Sequence, residues 1–235
     1  MPYDWLLFDA DGTLFDYDAA EQHSLRACAV LHGLTWQEEW LPDYRRINAA
    51  AWHELEQGTL SPARLRTIRF ERWFAHLGID ADPQRFSDSY LAALAQQTLL
   101  LADAAATVRA LAASYRMAII TNGLASVQRP RLQASELAPH FPILIISEEV
   151  GSAKPHRAIF DAAFERMGGP DRRRVLMIGD SLSSDIAGGH GYGLDTCWLN
   201  PEGKAPGAIA PTHTVAGIAA IEEILRPSRA GANQV

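Results

Sequence analysis

The chain has 235 residues, 48% of them hydrophobic and 21% charged, the proportions of a globular protein with a sizeable core rather than of a disordered segment. Its formal net charge of −7 argues against broad nucleic-acid binding, which rests on clustered Lys and Arg, and leaves room only for a small anion in a local cationic pocket. The two cysteines, Cys28 and Cys197, suggest no disulfide framework or metal knuckle, as expected for a cytoplasmic protein, and no apolar stretch nears the roughly 18 residues of a membrane span.

The first element is an apolar run of strand length, Trp5 to Phe8, that stops at Asp9-Ala10-Asp11-Gly12-Thr13. Three acids this early, Asp4, Asp9 and Asp11, also break up any signal-peptide core. After Phe15 the apolar period becomes helical. Leu25, Cys28, Ala29 and Leu31 form one stripe, and Trp40, Tyr44, Ile47, Ala51 and Leu55 the next, ending at Gly58. Ser61-Pro62 reads as an N-cap with proline in the first helical position, followed by Leu65, Ile68, Trp73 and Leu77 up to Gly78. A further helix begins near Asp82-Pro83 and carries Phe86, Tyr90, Leu91 and Leu94.

From Asp103 onward helices and strands alternate, the pattern of a doubly wound α/β core. Expected strands are Arg116 to Thr121, Ile143 to Ile146, Arg174 to Ile178 and Thr196 to Leu199; expected helices are Ala104 to Ala113, Ser126 to Gln133, Pro155 to Met167, Ser184 to Gly189 and Ile218 to Leu225. The segment from Ser147 to Pro155 reads as a loop. The expected fold is thus a doubly wound parallel-sheet, Rossmann-like α/β core from 1–15 and 97–226, with an all-helical cap at 16–96 and a polar, frayed tail at 227–235.

Parallel strands deliver their carboxyl ends to one edge, where ligands bind. Here the first brings Asp9 and Asp11, the second Thr121 and Asn122, the fourth Asp180 with Asp185 just inside the next helix, and the loop after the third brings Lys154. Carboxylates, a hydroxyl, an amide and one ammonium make a site for a phosphoryl group and a hard divalent cation. Two acids at one strand tip repel, so both stay ionised only beside a cation. Four of the six tryptophans, Trp36, Trp40, Trp52 and Trp73, lie in the insertion and read chiefly as bundle core, although one could stack on a base; Arg64, Arg69 and Arg72 read as a solvated face. Glu148 and Glu149 are near the site but, repelling phosphate, are not expected to touch it.

Asp9-x-Asp11-Gly12-Thr13, Thr121-Asn122-Gly123, Lys154-Pro155 and Gly179-Asp180 with Asp185 resemble, in order, the four motifs of the haloacid dehalogenase superfamily, and the helical insertion resembles its type-1 cap. At finer grain, Ile120 to Gly123, Ile146 to Gly151 and Thr196 to Asn200 are similar to the bacterial house-cleaning pyrimidine 5′-nucleotidase subfamily. The resemblance implies that Asp9 attacks phosphorus, that Asp11 serves as acid and then base, and that Thr121, Asn122 and Lys154 bind the phosphoryl oxygens. It further implies Mg²⁺ held by Asp9, Asp11 through its backbone carbonyl, and Asp180, with Asp185 orienting the metal's water rather than binding directly.

The function so implied is a Mg²⁺-dependent phosphomonoesterase for a nucleoside 5′-monophosphate, pyrimidine by preference, working as a monomer or weak dimer without nucleic-acid or membrane partners. Two alternatives stand beside it: a phosphatase of another small ester, such as phosphoglycolate or a sugar phosphate, and a non-catalytic module that binds a phosphate ligand.

Overall fold

The computed structural model describes residues 3–226, so the expectation for the tail at 227–235 lies outside the described residues. Strand β1 (Trp5–Phe8) is followed by four helices, α1 (Tyr17–Leu31), α2 (Trp40–Glu56), α3 (Pro62–Leu77) and α4 (Pro83–Ala95). Their starts follow the cap residues. Asp16 accepts from the Ala19 N–H, Ser61 from the Arg64 N–H ahead of Pro62, and Asp82 from Gln84 and Arg85 ahead of Pro83, each satisfying N–H groups that a helix start leaves open.

The chain then alternates: α5 (Ala104–Ala112), β2 (Arg116–Thr121), α6 (Ala125–Ala134), β3 (Ile143–Ile146), α7 (Ser147–Val150), α8 (Arg157–Arg166), β4 (Val175–Gly179), α9 (Ala187–Tyr192), β5 (Asp195–Leu199), β6 (His213–Val215) and α10 (Ile221–Leu225). The six strands form one parallel sheet in the order β3-β2-β1-β4-β5-β6. The direction of winding reverses between β1 and β4, so the crevice beyond their carboxyl ends is where such a sheet binds ligands.

Alternate residues of each strand feed opposite layers. Leu6 and Phe8, with Met117, Ile119, Leu176 and Ile178, enter the core beneath α5 and α10; Leu7, Ala118, Ile120 and Met177 enter the one beneath α8. A third core fills the helical insertion around Trp73, which Tyr44, Phe70, Phe74 and Phe86 surround at ring separations of 5.2–6.3 Å. Leu124 and Val127 beside and within α6 belong to this third core, so the insertion shares apolar packing with the sheet layer.

Several local expectations are corrected. β6 was not foreseen: it has three residues, two of them polar, and it exists by pairing Cys197 with His213 and Leu199 with Val215. The segment after β3 contains the short α7 where a loop was expected. The helix expected from Ser184 is a π-helical turn, Leu182–Ile186, leading into α9. Arg64 and Arg72 do lie on a hydrated face, paired with Glu71 (2.5 Å) and Glu54 (2.6 Å), but Arg69 is 1% exposed. The rings of Phe70 and Tyr90 cover its guanidinium, and a sequence window does not reveal rings delivered by another helix.

Candidate active site

Strand pairing carries Asp9 to the β1/β4 crevice: its N–H donates to the Ile178 carbonyl at 2.8 Å. Lys154, 1% exposed, comes from the loop after α7 and places Nζ 2.5 Å from Asp9 Oδ1 and 2.7 Å from Asp185 Oδ1, while donating to the Ile120 carbonyl at 2.8 Å. Asn122 fixes that loop. Its Oδ1 accepts from the Lys154 N–H (2.8 Å) and its Nδ2 donates to the Lys154 carbonyl (3.0 Å), so its carboxamide is committed to holding the lysine. Thr121 Oγ1, at the end of β2, accepts the Gly123 N–H at 3.0 Å.

The π-helical turn brings Asp185 under the site, where its Oδ2 accepts the Ser181 N–H at 3.1 Å. This approach needs a glycine at 179, because a Cβ there would lie 2.2 Å from Asp185 Oδ2. Gly12 is constrained in the same way: with φ at +79° and a Cβ position 2.7 Å from Asp180 Oδ2, it is the residue that lets the turn after β1 close over the Asp180 carboxylate. The Asp180 backbone is anchored as well, its carbonyl accepting from Trp198 Nε1 at 2.8 Å.

Asp9, Asp180 and Asp185 each offer a carboxylate oxygen, and these oxygens lie within 4.8 Å of one another. Against them stands Lys154, leaving a surplus of two negative charges. Burial pushes the Asp9 carboxyl well above its ordinary range, with Lys154 opposing and Asp185 and Asp180 adding to the rise. Asp180 is raised to about 6 by burial and by Asp185. Burial disfavours the Lys154 charge, yet Asp185 and Asp9 outweigh it and raise its pKa. Hard oxygen donors with this charge surplus fit a divalent cation of the Mg²⁺ class.

Asp11 is oriented differently. Its two oxygens turn toward α6, Oδ2 accepting from Gln128 Nε2 (2.6 Å) and Oδ1 from Arg131 Nη2 (2.5 Å). Its side chain therefore stands outside the carboxylate trio, although it lines the same chamber. That chamber measures about 230 Å³, with Asp9, Thr121, Lys154 and Asp180 on its floor and Tyr17, Asn48, Trp52 and Glu56 of the insertion as its wall.

A profile of the haloacid dehalogenase-like hydrolase family matches residues 3–193. The chain belongs to that family. It is similar over 96% of its length to the pyrimidine 5′-nucleotidase YjjG of Escherichia coli (38% identity, 99% of that protein covered) and over 86% to the pyrimidine 5′-nucleotidase PynA of Streptococcus pneumoniae (36% identity, 85% covered). Among solved structures, the HAD-hydrolase YfnB of Bacillus subtilis, determined with bound magnesium, superposes with a TM-score of 0.90 at 32% identity, covering 96% of this chain and 99% of that one.

The four haloacid dehalogenase motifs expected from the sequence converge in space: Asp9, Thr121, Asn122, Lys154, Asp180 and Asp185 all border one chamber, as does Asp11. Sequence reasoning missed Gln128 and Arg131, which sit three residues apart on one face of α6, a spacing that carries no motif. Of the wall on α2 it named only Trp52, as one of four rings that could stack on a base, and missed Asn48 and Glu56. Asn48, Trp52 and Glu56 recur at intervals of four, one helix face, and a polar-aromatic stripe beside the apolar Ile47-Ala51-Leu55 stripe was the available signal. Of the insertion's tryptophans, Trp73 is core, Trp36 and Trp40 pack against it, and Trp52 lines the chamber.

Proposed function

We propose that the chain is a phosphomonoesterase of the cytoplasm that hydrolyses pyrimidine nucleoside 5′-monophosphates through an aspartyl-phosphate on Asp9, with Mg²⁺ as its metal. The observation that carries this reading is Asp9 itself: a buried carboxylate pinned by Lys154 at 2.5 Å, facing a chamber whose opposite wall holds Trp52 and Tyr17. The two nucleotidase relatives support the substrate class.

In the first displacement an Asp9 carboxylate oxygen attacks phosphorus, the P–O bond to the nucleoside breaks, and the 5′-oxygen takes its proton from Asp11. In the second, Asp11 receives a proton from water as that water attacks phosphorus, freeing inorganic phosphate and restoring Asp9. Lys154, the Thr121 hydroxyl and the Asn122 backbone N–H stabilise the charge on the phosphoryl oxygens; the Asn122 carboxamide serves instead to hold Lys154. Asp9 and Asp180, with the Asp11 carbonyl, would hold Mg²⁺, and Asp185 would orient its water. Once bound, the ion neutralises the surplus charge and polarises the phosphoryl group.

The test is phosphate release with Mg²⁺ from UMP, dUMP and dTMP beside phosphoglycolate and sugar phosphates. The expected result is preference for the pyrimidine nucleotides, abolished by EDTA and by Asp9→Asn. Equal rates on phosphoglycolate would reduce the reading to a general phosphatase, retained activity in Asp9→Asn would exclude the covalent route, and an inactive, well-folded wild type would favour the binding module.

A further inference from the structure

The insertion contains a buried cation whose hydrogen-bonding capacity is mostly unused. Arg69 of α3 donates from Nη1 to Asn48 Oδ1 over a long 3.3 Å, whereas its Nε and Nη2 have no hydrogen-bond partner among the described residues. Glu21, the buried carboxylate of the same cluster, is taken by Arg45 at 2.9 Å and by Asn48 at 3.3 Å. The rings of Phe70 and Tyr90, 5.1 and 5.0 Å from the guanidinium carbon, hold the plane in place. Rings do not replace oxygen acceptors, and buried donors left unpaired are unfavourable.

Arg69 lines a recess of about 20 Å³ whose other walls include Leu91, Leu94, Val127 and Gln128. Asp11, Tyr17, Trp52 and Gly123 line both this recess and the 230 Å³ chamber. The recess is too small for a ring but has room for about one oxygen atom. A planar base lying in the chamber against Trp52 would direct one exocyclic group into it. What Arg69 asks for there is an acceptor, since a guanidinium has donors alone.

Given the nucleotidase reading, on which this rests, we infer that Arg69 is the base-reading residue, donating from Nε or Nη2 to the C2 carbonyl oxygen of a pyrimidine. That oxygen is the acceptor that uracil, thymine and cytosine have in common. A second ring would have to share the chamber with ribose and phosphate, and adenine offers no carbonyl, so the same contact disfavours purines.

The experiment compares kcat/KM on UMP, 2-thio-UMP, 4-thio-UMP and ribose 5-phosphate for the wild type and for Arg69→Met, with circular dichroism as the check on folding. Expected for the wild type is a loss of about 10-fold or more on 2-thio-UMP, sulfur being the poorer acceptor, and little loss on 4-thio-UMP. In Arg69→Met the ratio of UMP to ribose 5-phosphate falls about 10- to 100-fold. The thio series needs no variant, so it can overturn the assignment even where Arg69→Met does not fold. A loss confined to 4-thio-UMP, or a UMP to ribose 5-phosphate ratio unchanged in folded Arg69→Met, overturns the assignment while leaving the nucleotidase standing. A wild type with no preference for UMP over ribose 5-phosphate overturns both.

Discussion

Arg131 Nη2 lies 2.5 Å from Asp11 Oδ1, joining the middle of α6 to the turn after β1. The guanidinium is fully buried, stacks on Phe15 at 4.5 Å and also donates to Gln128 Oε1 at 2.9 Å, while Gln128 Nε2 reaches the other Asp11 oxygen. Two side chains on one helix face thus fix a carboxylate supplied by another element. Arg131→Met, which keeps volume and loses the donors, is expected to lower kcat on UMP about 10- to 100-fold, because the nucleoside 5′-oxygen leaves only with a proton. p-Nitrophenolate leaves without one, so the first displacement on p-nitrophenyl phosphate should slow much less. Single-turnover release of uridine and of p-nitrophenol checks it, because in the second displacement Asp11 is the base for both substrates; equal losses in that first displacement would mean that Arg131 does not act through Asp11 as acid.

A second bridge ties the insertion to the core. Arg66 Nη2 of α3 meets Glu148 Oε1 at 2.7 Å, and Glu148 Oε2 accepts the Ala125 N–H at 2.9 Å, at the start of α6. Both side chains are partly hydrated, at 30% and 24% exposure, which limits the pair to a coupling energy of about 0.5–1 kcal/mol. A double-mutant cycle of Arg66→Ala and Glu148→Ala, read by urea unfolding, should return a value in that range. Glu148→Gln keeps an acceptor for Ala125 and should cost less than Glu148→Ala.

The strand ends were legible because buried parallel strands are apolar runs: Trp5 to Phe8 and Val175 to Ile178 can only be interior, and the polar residues just beyond their carboxyl ends face the ligand edge. Asp9 and Asp180 could therefore be placed at the ligand edge from punctuation, whereas Lys154, separated from β3 by α7, was placed by its loop and its role by the resemblance of Lys154-Pro155 to a family motif. Arg69 and Arg131 could not be so placed, since each is buried by rings from elsewhere in the chain, Tyr90 for one and Phe15 for the other. β6 escaped notice for a related reason: its strand character comes from Cys197 and Leu199 across the ladder rather than from its own His-Thr-Val.

On the proposed role of Mg²⁺, the carboxylate trio should make stabilisation by the ion depend on pH in a defined direction. In the metal-free protein Asp180 is raised to about 6 from an ordinary 3.8, so the folded state holds a proton more tightly than the unfolded state does. That contribution to stability is complete below the ordinary value and is lost as pH rises through about 6. Mg²⁺ competes with the same proton and stabilises most where the carboxylate is free. The rise in Tm on adding Mg²⁺ should therefore be about twofold or more greater at pH 7.5 than at pH 5 by thermal shift, and Asp180→Asn should remove most of the difference. A pH-independent Mg²⁺ shift would contradict the argument.

Trp73 and Trp52 separate packing from recognition within one helical insertion. Trp73 is 0% exposed and sits among Tyr44, Phe70, Phe74 and Phe86, so Trp73→Ala removes ring contacts on every side and leaves a cavity; it should cost about 3–5 kcal/mol in urea unfolding. Trp52 is only partly buried and lines the chamber four residues after Asn48 and four before Glu56. Trp52→Ala should cost less than about 1.5 kcal/mol of stability, yet raise KM for UMP about 10-fold through the lost base stacking, while KM for ribose 5-phosphate moves less than about threefold. The contrast is decided by measuring both variants with both methods. Equal destabilisation, with KM for the two substrates moving together in Trp52→Ala, would make Trp52 a second core tryptophan rather than the ring on which the base lies.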